Sequence, residues 1–332
     1  CAVVGRAQAG VQGGVCMIRV SVWYHGLDER YLRLVTQLSA EAIDFGAGDA
    51  FSGVHEQGYP DLNGVLATKR ALQAWGLEIN RVTLPDIPAD FMVGESDDTT
   101  CIENACRAVA VFGEAGVPIA RLRVGGDAMP HRTRMHMAIH RGGYRARAEY
   151  HHWAQPELRS PAEVEAWWGR FCRVFERLVP AAEDAGVKLV IHPSDTPCAG
   201  TAFDSLGFHR VIDAFPSRAV GFLYCVGTRA EAGGSALVLD EINTFGRKGR
   251  IFTVHFRNVR GSLATAGGFE EVLLDDGDMN MATVLRALQR VGFDGCVNPD
   301  HVPALEGDQG DISLGLAYSV GYIKALLAAL SE

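Results

Sequence analysis

Eight short apolar runs recur along the chain, and a helical pattern follows each one. They lie at 18–23, 42–45, 79–84, 119–124, 187–191, 219–224, 250–254 and 295–298. One arrangement repeats between them: an amphipathic helix, a glycine, then a short run of branched residues ending in polar ones. Ser160-Pro-Ala-Glu163 is a capping box with Pro161 at the first helical position. Behind it Trp167, Phe171, Phe175 and Leu178 share one helical face, and Gly186 closes the helix before 187–191. The same order recurs at Gly116 before 119–124 and at Gly292 before 295–298. Eight strands alternating with helices predict an α/β fold, a closed (β/α)8 TIM barrel. A doubly wound open sheet is the competing layout, but no GxGxxG follows the first run.

A chain of 332 residues has room for one such barrel, expected as a single domain over 17–332. Residues 1–16 are glycine-rich with no continuous apolar stretch; they read as a leader or tag-like segment, not a secretory signal. Charged residues at 21% and hydrophobic residues at 48% exclude disorder over most of the chain. The net charge of −9 argues against a nucleic-acid partner. No membrane span is expected: the most apolar long stretch, 314–330, carries Lys324 and two tyrosines and reads as a helix packed on the core. The eight cysteines are scattered, which points to reduced thiols and a cytoplasmic protein. A homo-oligomer is compatible with the sequence, which leaves that state open.

One connection is long. Residues 125–159, after strand four, hold His131, His136, His140, His151, His152 and Tyr144 among several arginines. An insertion of that length in a barrel predicts a lid over the active-site face. No helical ligand pair stands out among its histidines, so they are not read as metal ligands.

Four strands in the second half end in metal-ligand residue types. Strand five runs into His192, strand six into Cys225, strand seven into His255 and strand eight into Asp300. Each is about one strand–helix unit from the next, so in a barrel all four converge at the C-terminal mouth. A lone histidine or cysteine at a strand end is ordinarily a packed or satisfied side chain. Four on successive strands point to a shared metal site. The thiolate tolerates Zn2+, Fe2+ or Co2+, whereas the imidazoles and carboxylate suit Mn2+ or Fe2+.

These stretches resemble the mannonate dehydratase family of xylose-isomerase-like barrels. The matching segments are His192-Pro-Ser-Asp195-Thr-Pro, Cys225-Val-Gly227-Thr228, Val254-His255-Phe-Arg257-Asn258-Val259, Asp276-Gly-Asp278 and Pro299-Asp300-His301. The resemblance implies dehydration of the sugar acid D-mannonate to 2-keto-3-deoxy-D-gluconate, with Mn2+ or Fe2+ held by His192, Cys225, His255 and Asp300. It also implies an acid/base role for His301 and a place near the substrate for Arg257. Three positions depart from the family pattern. Ser194 replaces an acid, Asn280 stands where an aspartate is expected, and Leu314 falls near a tyrosine that some members use in catalysis.

Such a dehydration removes the proton on C2 and the hydroxyl on C3. His301 suits proton transfer near neutrality, and its bland alternative is a histidine that supports Asp300. Arg257 offers a fork for the substrate carboxylate, or else an ordinary ion pair. Asp195 and Tyr318 are candidates for the second proton transfer. Asp276 and Asp278 are read as caps of the helix starting near Met281. Competing functions are a metal-dependent sugar isomerase, an endonuclease-like barrel and a sugar-acid binder without turnover. Cys225 among the ligands argues against the first, and the net charge against the second.

Overall fold

The chain is described from a computed structural model that covers residues 17–127, 134–138, 140–150, 159–197, 200–308 and 312–331. Residues 1–16, the histidines at 131, 151 and 152, and Cys198 lie outside the described residues.

Eight parallel strands close into a barrel: β1 (Arg19–Trp23), β2 (Ala42–Asp44), β3 (Glu78–Thr83), β4 (Ile119–Arg121), β7 (Lys188–Ile191), β8 (Val220–Cys225), β9 (Ile251–His255) and β12 (Cys296–Asn298). All eight expected runs are strands. β12 pairs with both β9 and β1, which closes the ring. A helix follows each strand, among them α5 (Thr100–Glu114), α6 (Pro161–Ala185), α8 (Val226–Arg247), α10 (Met281–Arg290) and α11 (Ser313–Ala329). The capping box at Ser160 is formed, with its side chain accepting from the Glu163 N–H, and Gly186 ends α6 at φ 66°. Trp167, Phe171, Phe175 and Leu178 are buried in the core between strands and helices.

Inside the barrel, side-chain alternation sets the layers. Ile119, Val190 and Leu223 pack with Phe252 in a small apolar cluster of their own. Arg121, His192 and Cys225 follow two residues later on the same strands or just past them, so they face the same interior one layer higher. A register shift between β2 and β3 passes over Asn80. Asn80 donates to Asp44 at 2.7 Å and to Thr253 at 3.2 Å, so it points inward. Arg81 beside it is fully buried against Trp23. A bulge is what lets neighbouring residues turn to one side.

The long connection is more than a loop. It carries β5 (Arg134–Met137) and β6 (Arg145–Tyr150), which join β10 (Asn258–Ser262) and β11 (Gly268–Val272) in an antiparallel sheet of order β10-β11-β6-β5. Ala146 and Ala148 of β6 are buried, and Ala146 packs with Tyr144, Val272 and Leu273. His136 Nε2 lies 2.9 Å from Glu270 and His140 Nδ1 lies 3.9 Å from Asp276. Among the described residues neither belongs to a metal-ligand group. Asn280, not Asp276 or Asp278, caps α10 by accepting from the Thr283 N–H. Asp276 instead accepts from the Tyr144 hydroxyl at 2.7 Å, and Asp278 from the Gly261 N–H at 2.7 Å. The expected capping aspartates tie the added sheet together. No helix among the described residues is long and apolar enough to cross a membrane.

Candidate metal centre and active site

Each strand end delivers its side chain where the alternation places it. His192 follows β7, and Cys225 and His255 are the last residues of β8 and β9. One ligand atom from each of the three lies within 4.8 Å of the others. Asp300 stands outside that set. Its Oδ2 lies 3.4 Å from His255 Nδ1 and accepts from Arg257 Nε at 3.0 Å. Asp300 is a buried residue at φ 60°, a conformation that L-residues with a Cβ rarely adopt. Its N–H donates to the Asn298 side chain at 2.8 Å. This turn after β12 brings both Asp300 and His301 to the cavity, although they are adjacent in sequence.

The donor set fits a cation. Both ring nitrogens of His255 are buried without a hydrogen-bond partner among the described residues, which costs free energy unless something occupies them. His192 Nδ1 lies 2.6 Å from the Pro193 carbonyl. A carbonyl only accepts, so Nδ1 carries the proton and Nε2 keeps its lone pair. Burial lowers the pKa of both imidazoles, His255 well below its ordinary value. Burial pushes the Cys225 thiol up to about 11. Burial also works against ionisation of Asp300, but His255, His301 and Arg257 outweigh it and hold its carboxyl well below the usual range.

A cavity of about 240 Å³ opens over these residues. His301 lines it, with Nδ1 3.0 Å from Glu271 Oε1, and Arg147 Nη1 lies against the ring edge, 2.8 Å from Nδ1 and 3.1 Å from Nε2. The carboxylate only accepts, so the Glu271 contact calls for a proton on Nδ1. Burial alone would lower the His301 pKa; the Asp300 carboxylate and the Glu271 hydrogen bond outweigh it, and the net shift is upward. Asp195 also lines the cavity, exposed, with Oδ1 3.3 Å from His192 Nδ1.

Two expected site residues sit differently. Arg257 lines the cavity but is buried, with Nε on Asp300, Nη1 on Glu231 and Glu271, and Nη2 on Thr228 at 2.9 Å. Its guanidinium is held by these protein partners, the ion-pair arrangement that stood beside the carboxylate fork as an expectation. Tyr318, on α11, does not line the cavity. Its hydroxyl lies 3.5 Å from Arg141, beside the cluster that holds Tyr144 and Leu273, so it is not brought together with His301 and Asp195.

Trp23, Arg121, Arg147, Glu231 and Glu271 are cavity residues that sequence reasoning passed over. Arg121 was hidden because the fourth run was extended to 124, which made a strand end look like a strand interior. Glu231 and Glu271 carry the acidic signature of surface residues, yet both are buried around Arg257. A smaller chamber of about 200 Å³ adjoins the first and shares Arg121, Arg123, His192 and Asp195 with it. On its wall Ser194 Oγ donates to Asp127 at 2.9 Å.

The fold is a closed (β/α)8 barrel that gathers two imidazoles, a thiol and a carboxylate at its C-terminal mouth. The crystal structure of mannonate dehydratase from Streptococcus suis serotype 2 matches with a TM-score of 0.80 at 23% identity, covering 94% of each chain. A xylose isomerase domain protein from Planctomyces limnophilus matches with a TM-score of 0.62 at 12% identity, covering 95% of this chain and 98% of that one. The family model for D-mannonate dehydratase (UxuA) matches residues 149–332. The chain belongs to the D-mannonate dehydratase family. A mannonate dehydratase of Streptococcus equi subsp. zooepidemicus is 26% identical over 83% of this chain and 86% of its own length. Mannonate dehydratase 2 of Halalkalibacterium halodurans is 26% identical over 51% of each, so the chain spans about half the length of that relative. The family and the residue group together suggest a divalent metal.

Proposed function

We propose that this chain is a metal-dependent hydro-lyase that converts D-mannonate to 2-keto-3-deoxy-D-gluconate and water. The observation that carries the reading is the meeting of His192, Cys225 and His255, with Asp300 beside them, under a cavity lined by His301. His192, Cys225, His255 and Asp300 would hold the cation, and the donor set favours Mn2+ or Fe2+, with Zn2+ or Co2+ compatible. When bound, it supplies positive charge beside the substrate carboxylate as C2 loses its proton.

The chain's own residues do the rest. His301 Nε2 takes the C2 proton, and Glu271 fixes the ring tautomer through Nδ1. Arg147 Nη1 lies against the His301 ring edge, near both nitrogens, and must move aside for substrate to reach Nε2. Asp195, three residues after His192 in the loop that follows β7, gives the proton with which the C3 hydroxyl leaves as water. Arg257 positions Asp300 and Glu271. The enol so formed tautomerises to the 2-keto acid.

The test is turnover of D-mannonate by chelator-stripped protein, with and without added Mn2+, read as the 2-keto-3-deoxy acid. Metal-dependent product is expected, and His301→Asn is expected to lower kcat by ~10²–10⁴-fold with metal content unchanged. Folded, metal-loaded protein that makes no product removes D-mannonate as the substrate.

A further inference from the structure

Four arginines reach the cavity or its wall, and three have protein partners. Arg257 is surrounded by Asp300, Glu231, Glu271 and Thr228. Arg147 meets His301 and lies 3.7 Å from Glu271. Arg123 is largely exposed and faces Asp86 at 3.6 Å. Arg121 differs. Its Nε is buried with no hydrogen-bond partner among the described residues, and the Asp195 and Asp300 carboxylates act on its charge. It pairs in register with Thr83 on one side and Val190 on the other, so its side chain enters the barrel next to His192. It borders both chambers, at the place where they join. Arg81, one strand away, also has Nε and Nη2 buried without partners, so a second positive charge stands below it.

A guanidinium whose Nε is buried without a partner is costly in the free protein and is kept where a ligand completes it. The surrounding wall carries Asp195, Glu231, Glu271 and Asp300, which repel a doubly charged phosphate more strongly than a singly charged carboxylate. The Nε–Nη edge of a guanidinium matches the two oxygens of a carboxylate. We infer that Arg121 is the substrate-carboxylate anchor of this site, holding C1 beside the metal ligands so that C2 faces His301 and the polyol tail runs into the adjoining chamber. The inference rests on the sugar-acid reading given above, and it names a different arginine from the one the sequence motif suggests.

The experiment is titration calorimetry on the full chain loaded with Mn2+, in a His301→Asn background so that D-mannonate binds without reacting. D-mannitol, the alcohol of the same length, is the uncharged comparison. D-mannonate is expected to bind and D-mannitol much more weakly. Adding Arg121→Gln is expected to weaken D-mannonate binding by about 10–100-fold, and Arg121→Lys to recover part of it. Metal content stays full, and the thermal midpoint of the ligand-free Gln variant is unchanged or higher, because no protein partner is lost. Unchanged D-mannonate affinity in Arg121→Gln overturns the anchor alone. A lower midpoint with lost metal assigns Arg121 a structural role and also overturns it. Background protein, folded and metal-loaded, that binds no D-mannonate refutes the sugar-acid reading and the anchor with it.

Discussion

Gly227 shows how closely the parts around the metal ligands are packed. A Cβ there would lie 2.4 Å from Arg257 Cγ and 2.5 Å from its Nη1, distances that force a side chain to move. Arg257 in turn holds Asp300 at 3.0 Å. Gly227→Ala is therefore expected to push Arg257 off Asp300 and to lower metal retention. The extra methyl costs about 1–3 kcal/mol by overpacking, so the fold survives. Metal content after dialysis checks this, with at least ~10-fold weaker binding expected from a loss of about 1.4 kcal/mol. Full metal content and full turnover in the variant would separate Asp300 placement from Arg257. The Cys225-Val-Gly227-Thr228 run stood out in the sequence because Cys225 ends a strand. The need for glycine two positions on arises from an arginine between β9 and β10, which no local pattern reveals.

The added sheet is an element-scale device with its own pH dependence. Tyr144 donates to Asp276, and Arg141 and Arg260 pair with the same carboxylate or with Asp275. Burial would raise the Asp276 pKa; the Tyr144 hydroxyl and the Arg260 and Arg141 charges outweigh it, so the folded value is depressed. A depressed carboxyl stabilises the fold above its unfolded pKa of about 3.9 and loses that contribution as pH falls through the folded value. Hydrogen exchange is the measurement: as pH drops below about 4, amides of β6 and β11 should lose protection before those of β8 and β9. Tyr144→Phe should weaken the sheet at neutral pH by about 1–3 kcal/mol, since the Leu273 N–H loses its acceptor too. Equal loss of protection in barrel and sheet would show that the two open as one unit. The barrel strands were legible because each is a run of branched residues between helix caps. β6, Arg145–Tyr150, buries Ala146 and Ala148 instead, and pairs with a strand far along the chain. Small buried side chains and distant partners leave little apolar alternation to read, so the insertion looked like an irregular lid.

At the scale of the molecule, the four proposed ligands come from four strands that stand side by side, β7, β8, β9 and β12. The other half of the ring supplies Trp23 and Arg121 to the cavity. A cation bound to all four side chains would tie β7 through β12 across the top, and β12 closes the ring through only a short pairing with β1. Metal binding should therefore stabilise the whole barrel, not only the mouth. Anything that binds the folded state alone stabilises it by about 2.7 kcal/mol when present at ~100 times its Kd. For a chain of this size that is a rise of a few degrees in Tm. Thermal unfolding of stripped protein with added Mn2+ measures it, and Fe2+, Zn2+ and Co2+ under the same conditions rank the metals. Cys225→Ala removes one ligand and also the sulfur that caps α8 by accepting from the Thr228 N–H, so its metal-free Tm should fall by a few degrees while the metal-induced rise shrinks or disappears. An equal rise in Cys225→Ala would place the ion elsewhere, and no rise with any of the four metals would remove the metal centre and the hydro-lyase chemistry built on it.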